Sequence, residues 1–430
     1  MGLAGIGVLL VLLACSMPVA FSMAVVGGAG LLALYGGNAK PVLTLVADNL
    51  YGKFADYNLT VIPLFIFMGQ MTFHTGMSTK LFHAAYCWLG WIRGGLAMAT
   101  VGACAAFGTI CGSGPATAAT MAAVALPEMR RFKYADALAA GVVASGGGLG
   151  MMIPPSVVFI VYGILTKESI GRLFIAGIVP GLLCAALFCG VIAVWCRVDP
   201  KVAPGAAHVA WRTRFTSLRG VWQILLLFAL VMGGLFTGWF TPTEGAAVGA
   251  VGSVLVGALG RGFKWKSVWR AAGETSRMSC MVMVIIAGAA IFGVFLGVTE
   301  LPMRLAEWLA GLPLPRWLVV VFAMLFYLGA GCFIDALALI LLTLPIFYPV
   351  MEQLKIDPVW FGVMIVLVVQ MGVITPPVGV NVYVVNGVER SIPLQTVFRG
   401  SMPFLLALVV VAALLLCFPG IATWLPNLAH

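Results

Sequence analysis

Charge is what this sequence has least of. Lys, Arg, Asp and Glu make up 9% of 430 residues, where soluble proteins carry about 25%. Hydrophobic residues account for 62% and the mean hydropathy is +1.10. A polytopic protein of the lipid bilayer is implied, rather than soluble domains joined by linkers. Long polar stretches are also missing. The longest runs roughly from Arg197 to Arg219, too short for a soluble catalytic domain. No G-x-x-x-x-G-K-[ST] occurs, so no ATP hydrolysis by this chain is expected, and no nucleophile–base constellation argues for an enzyme. The ten cysteines include no C-x-x-C. Most sit in apolar runs, where cysteine is a small hydrophobe, so neither a disulfide framework nor a metal cluster is expected. His74, His83, His208 and His430 show no ligand spacing. Gly2 to Ala20 lacks the basic n-region of a signal peptide, which favours a first spanning helix. The net charge of +10 does not call for nucleic acid, because the basic residues fall in loops as the positive-inside rule requires.

What the sequence does have is a broken crossing. Residues Ser145 to Ser156 read SGGGLGMMIPPS within a strongly apolar segment. In lipid every backbone polar group must be satisfied internally, so interrupted helices survive only where they line a cavity or are buried in protein. Pro155 donates no hydrogen bond and pushes Pro154 away from helical geometry. A helix over 135–166 should therefore break near Gly150–Ser156. The pattern returns 222 residues later, where Gly372-Val-Ile-Thr-Pro376-Pro377 repeats Gly150-Met-Met-Ile-Pro154-Pro155. The same offset relates Pro127 to Pro349, Met129 to Met351, Lys133 to Lys355 and Ser169 to Ser391. The chain thus reads as two copies of one unit, 1–196 and 220–430, joined by a basic linker at 197–219.

Apolar runs long enough for the ~30 Å hydrocarbon core predict spans at Ile6–Met23, from Ala24 past Leu34, from Val61 to Phe73, Leu173–Trp195, Val221–Phe240, Ala246–Leu259, Met278–Val298 and Pro403–Leu425. Amphipathic stretches at 38–57, 75–89 and 261–277 predict helices along the interface. The Trp-bearing 261–277 stretch suits an interface anchor or a soluble partner. Residues 95–130 are too long for one crossing and carry Gly112, Gly114 and Pro115 at their centre, which predicts a re-entrant hairpin with its tip at Ser113. A second hairpin over 317–349 has its tip near Gly331–Asp335, and a second broken helix covers 358–386. Placing Arg130, Arg131 and Lys133 in the cytoplasm leaves only Lys40, Lys53, Lys167, Arg172, Arg304, Arg316 and Lys355 on the other side. The repeats are then inverted, with both termini outside.

Half-helix N-termini at such breaks attract anions, and freed carbonyls bind Na⁺. One cation site is expected from Thr109, Gly112, Ser113, Gly150, Ile153 and Ser156. Its counterpart draws on Gly331, Ile334, Asp335, Gly372, Thr375 and Val378, many acting through the backbone. A solute would lie against Ser113, Gly114, Pro154, Pro155, Ser156, Asp335, Pro376, Pro377 and Asn381. Asp335, an acid at membrane depth, either ligates a cation or proton or caps the second arm of its hairpin. Asn381 and Asn386 either face the solute path or form packing hydrogen bonds.

Gly112-Ser113-Gly114, Gly150-x-x-x-Pro154-Pro155-Ser156, Pro180-Gly181, Phe333-Ile334-Asp335 and Thr375-Pro376-Pro377-Val378-Gly379 together resemble the large membrane subunit of tripartite ATP-independent periplasmic (TRAP) transporters, over nearly the whole chain. The resemblance implies an elevator-type sodium symporter in a bacterial inner membrane, with Na⁺ and no organic cofactor; the termini placed outside by the Lys and Arg bias would then be periplasmic. It further implies a small four-helix membrane subunit, a periplasmic substrate-binding protein and an organic-anion substrate such as a C4-dicarboxylate, sialic acid or another sugar acid. The expected fold is an all-α polytopic membrane protein of inverted repeats, each with a re-entrant hairpin and a broken transmembrane helix. The rivals are a stand-alone sodium/carboxylate symporter and a membrane-embedded enzyme. The latter would need a second catalytic group beside Asp335.

Overall fold

A computed structural model describes residues 1–203, 210–218, 220–259, 263–311 and 315–428. Prolines, glycines and capping side chains divide the apolar sequence into helices, and no strand forms among the described residues. The first helices are α1 (Gly2–Ala14), α2 (Val19–Leu34), α3 (Ala39–Phe54), α4 (Val61–His74) and α5 (Met77–Leu89). The span expected at Ile6–Met23 is thus divided. Ser16 takes φ +63° and Pro18, which has no N–H to give, caps α2. The expected arm begins at Asn38, whose side chain accepts from the Lys40 N–H. Gly76 in the left-handed region turns the chain through 68° between the α4 segment and α5.

The first hairpin forms as expected from α6 (Gly95–Cys111) and α7 (Gly114–Arg131). The first broken helix is α8 (Asp136–Gly147), α9 (Leu149–Met152) and α10 (Val157–Thr166), followed by α11 (Ile170–Val198). In the linker, α12 (Trp211–Leu218) packs on α5, where the Trp88 indole N–H donates to the Arg214 carbonyl at 3.2 Å. Then come α13 (Trp222–Phe236) and α14 (Pro242–Ala258), the latter started by a Thr241–Glu244 capping box.

Two expectations fail in the second half. The interfacial helix at 261–277 and the span at 278–298 are one helix, α15 (Trp265–Val298), because no proline interrupts them and Gly273 alone does not stop a helix. Residues 261 and 262 lie outside the described residues. The chain continues through α16 (Leu301–Gly311), α17 (Arg316–Gly331), α18 (Ala336–Gln353), α19 (Pro358–Gly372), α20 (Val380–Val388), α21 (Leu394–Cys417) and α22 (Gly420–Leu428). The last span therefore starts at Leu394 rather than Pro403 and ends at Cys417 rather than Leu425. Pro403 is carried inside it, and Pro419 ends it.

Helix-end geometry recurs at the 222-residue offset. Lys133 and Lys355 take φ +58° and +54°. Just after them, Tyr134 N–H donates to Met129 O (2.9 Å) and Ile356 N–H to Met351 O (3.0 Å), the long hydrogen bond of a Schellman end. Packing recurs too. α10 lies on α18, and its counterpart α20 lies on α7, the counterpart of α18. α8 lies on α21, and α19 on α11. Such reciprocal exchange is what a two-fold axis between repeats produces. Around these elements α2, α4, α13, α14 and α15 pack on one another as a second group. The first broken crossing is the most enclosed of the spans. In its most apolar stretch 89% of residues are buried, against 39% in α15, as interrupted backbone in lipid requires.

Candidate functional site

At the first break α9 stops at Ile153 (φ −83°, ψ 123°), the Pro154-Pro155 peptide is cis, and Ser156 is extended before α10. The first hairpin tip is pressed onto this segment. Gly112, left-handed at φ +62°, closes α6. Its carbonyl accepts from the Val157 N–H at 3.4 Å, and a Cβ on it would stand 3.2 Å from Pro155 O. One turn away Gly108 and Gly150 touch backbone to backbone, and a Cβ on Gly150 would lie 2.9 Å from the Gly108 Cα and from Thr117 Oγ1. Thr109, Gly112, Gly150 and Ser156 are thereby gathered, with Ser113 and Gly114 opening α7 beside them. Gly114 packs on Met151, while the Ile153 side chain is turned away toward Gly181 of α11. The Thr109 hydroxyl donates to Ala106 O at 2.7 Å, which leaves its lone pairs free. Ser156 is 0% exposed, and its hydroxyl has no partner among the described residues.

The second break reproduces the join. Gly379 (φ +59°) opens α20, and its N–H donates to Cys332 O in the second hairpin tip at 3.3 Å. A Cβ on Gly372 would come within 2.6 Å of Gly331 C, so the second hairpin also meets its break through paired glycines. Thr375 Oγ1 donates to Met371 O (2.7 Å), and Asp335 caps α18 through Oδ2, which accepts from the Leu337 N–H at 3.1 Å. Asp335 and Ile334 are half-buried, as are Thr375 and Val378. Pro376 and Pro377 are exposed, and Phe333 at the tip is 63% exposed.

Residues 6–421 match the family described as "Tripartite ATP-independent periplasmic transporter, DctM component". The chain belongs to this TRAP transporter family. Among its relatives is the C4-dicarboxylate TRAP transporter large permease protein DctM of Pseudomonas aeruginosa, 37% identical over 89% of either chain. The sialic acid TRAP transporter large permease protein SiaM of Vibrio cholerae is 32% identical over 97% of this chain and 96% of its own. In fold it is similar to the YdaH transporter of Alcanivorax borkumensis, with a TM-score of 0.62 at 15% identity over 90% of this chain and 89% of that one. Homologous TRAP permeases are membrane transporters, and this large permease subunit is a multi-pass membrane protein of that kind.

The oxygens at both breaks are of the kind that can hold a hard cation. They are neutral carbonyls and hydroxyls, with one carboxylate at the second tip. No group of three His, Cys, Asp or Glu that could hold a transition metal exists among the described residues. The Ser156 hydroxyl, buried without a partner among the described residues, is one such oxygen still free to bind; a buried unsatisfied hydroxyl costs about 1–3 kcal/mol.

Asn381 is 0% exposed, as Ser156 is; its amide N–H donates to Ala144 O of α8 at 3.1 Å while its Oδ1 has no partner among the described residues, and Asn386 donates to Ile392 O at 2.7 Å. Sequence reasoning passed over Gln370, which is fully buried with both amide atoms unpartnered and lies against Gly148 of α8. Its signal was a lone amide in the apolar run Val-Val-Gln-Met-Gly. Also missed was an ionic join between the repeats. Arg130, at the foot of the first hairpin, bonds Asp136 (2.9 Å), Glu389 (3.2 Å) and the Ser391 hydroxyl (2.7 Å) beyond α20.

Proposed function

We propose that this chain is the sodium-coupled transport subunit of a binding-protein-dependent importer of organic acids. The observation that carries the reading is the doubled join, in which each interrupted crossing is bonded to its own hairpin tip. Ser156 with the carbonyls of Gly112, Gly150 and Ile153, and Thr109 and Ser113 beside them, would hold one Na⁺. Asp335 with Gly331, Ile334, Gly372, Thr375 and Val378 would hold a second. A bound cation supplies fixed positive charge that attracts a carboxylate, and half-helix N-termini at Gly114 and Ala336 add to it. Ser113, Gly114, Pro154, Pro155, Ser156, Asp335, Pro376 and Pro377 supply the remaining solute surface.

Residues 1–196 and 220–430 act as inverted repeats about the 197–219 linker. Their hairpins and broken helices move as one body against α2, α4 and α13–α15 in an elevator mechanism. The tripartite character of the family and its relatives' names support a small membrane subunit and a periplasmic binding protein as partners, and an organic acid as cargo. Both termini lie on the periplasmic side, which agrees with the bias of Lys and Arg.

The test is uptake into proteoliposomes holding this chain and its small subunit, with the binding protein outside and a panel of radiolabelled organic acids. Uptake is expected only with an inward Na⁺ gradient and binding protein. Uptake by this chain alone would favour a stand-alone symporter. Uptake indifferent to Na⁺ would end the coupling reading.

A further inference from the structure

A cavity of about 370 Å³ opens between α3, α15 and α18 and is lined by none of the residues assigned to the two breaks. Its polar lining is Asn49 and Lys53 of α3 with Tyr348 of α18. The rest is aliphatic, including Ile286 and Gly293 of α15 and Leu344 of α18. A smaller hollow shares Lys53 and Ile286 and continues toward Val161 and Ile164 of α10. At Gly293 an added Cβ would meet nothing within 4 Å, so the slot is open at that depth.

The polar groups are unequally engaged. The Asn49 amide donates to Leu45 O (2.9 Å) and the Tyr348 hydroxyl to Thr166 O (3.4 Å). Asp56, which lines the smaller hollow, accepts from the backbone and side-chain N–H groups of Asn58. Half-buried Lys53 forms no ion pair among the described residues. A cation with no salt bridge within 4 Å among the described residues therefore stands beside an apolar slot, the Asp56 carboxylate of the adjoining hollow being turned to Asn58. A small hydrophilic anion would lose hydration against those walls without replacement hydrogen bonds. A molecule with a phosphate at one end and a hydrocarbon chain at the other matches both parts.

We propose that this crevice binds an anionic phospholipid, its phosphate on Lys53 and one acyl chain along Gly293 and Leu344. The seam it fills joins α3 and α15 to the second hairpin. The site stands apart from sodium coupling, so failure of either reading leaves the other in place.

The test uses the full chain with its small subunit, exchanged into nanodiscs of phosphatidylglycerol and phosphatidylethanolamine and then extracted mildly. Retained lipid is counted by mass spectrometry. Wild type is expected to retain phosphatidylglycerol preferentially. Lys53→Gln is expected to lower that preference about fivefold, with a smaller loss of phosphatidylethanolamine. Gly293→Leu, which fills the slot, is expected to lose both lipids, and Ala290→Leu serves if that variant does not fold. Unchanged retention in either Lys53→Gln or a folded filling variant overturns the proposal. So does displacement of the lipid by millimolar succinate, which would make the crevice a solute vestibule.

Discussion

The two interrupted crossings share one local construction and differ in what surrounds them. Both have a cis Pro-Pro pair, a glycine–glycine contact to a hairpin and a backbone hydrogen bond from just past the break to the hairpin tip. Around the first, everything from Met151 to Ile160 is buried. Thr109 and Pro155 line one small hollow with Met68 of α4 and Leu227 and Val231 of α13, and a Cβ on Gly69 of α4 would be 2.8 Å from the Cys111 Cα. Around the second, Pro376, Pro377 and Phe333 are uncovered. Short-range contacts thus set the break, and long-range packing of the other helices sets its access. Under the proposed mechanism the two exposures would exchange as solute crosses, with the joins unchanged.

The most damaging way to test this is at the joins. Gly150→Val and Gly372→Val each drive a side chain into hairpin backbone, and overpacking of that kind costs about 1–3 kcal/mol or more. Both are expected to lower the thermal midpoint of the purified protein by similar amounts. Tolerance of Gly372→Val alone would show that the second join is looser, and the likeness would fail.

Access is the next contrast. In a cysteine-free background Pro377→Cys is expected to react with a membrane-impermeant maleimide under conditions that leave Ser156→Cys unmodified. Equal labelling would remove the asymmetry. Charge comes third. Asp335→Asn keeps a good helix cap, whereas Asp335→Ala loses about 1 kcal/mol of capping. Loss of uptake in both is expected if the carboxylate binds a cation. Full uptake in Asp335→Asn would leave Asp335 a cap only. Ser156→Ala is expected to raise the Na⁺ concentration for half-maximal uptake about tenfold. If the hydroxyl is only an orphan, Ser156→Ala should stabilise the protein and leave Na⁺ dependence alone.

The breaks and hairpins were legible because proline and glycine act on their own neighbours: Pro154-Pro155, Gly112 and Gly379 act wherever they stand. The division at Ser16–Pro18 was there to be read in the same terms, but the apolar run masked it. The continuity of α15 was harder, since a change from charged to apolar residues looks like a boundary while backbone hydrogen bonding ignores it. Partners distant in sequence were illegible. Nothing near Asn381 announces Ala144, and nothing near Gly148 announces Gln370. The enclosure of the first break depends on α4 and α13, which no local pattern names.

The smallest expected effect concerns two serines in register, Ser169 and Ser391. Among the described residues Ser169 accepts only from the Arg172 N–H at the start of α11, at 3.4 Å. Ser391 accepts from the Arg130 guanidinium and donates to Glu389, joining the foot of the first hairpin to the end of α20. The Ser391 hydroxyl, and then Arg130, hold the Glu389 carboxyl below its ordinary value. A depressed carboxylate contributes stability that is fully present above its unfolded pKa and is lost as pH falls through the folded one. The join should therefore persist down to about pH 5 and weaken below it. The Arg130 and Glu389 side chains are 33% and 30% exposed and so still partly solvated; Glu389→Gln is expected to cost less than about 1 kcal/mol, whereas Ser169→Ala should change less still. Thermal midpoints across that pH range check both. A wild-type and Glu389→Gln difference that stayed constant to below pH 3 would mean that the carboxylate does not carry the join, and the two serines would then be equivalent after all.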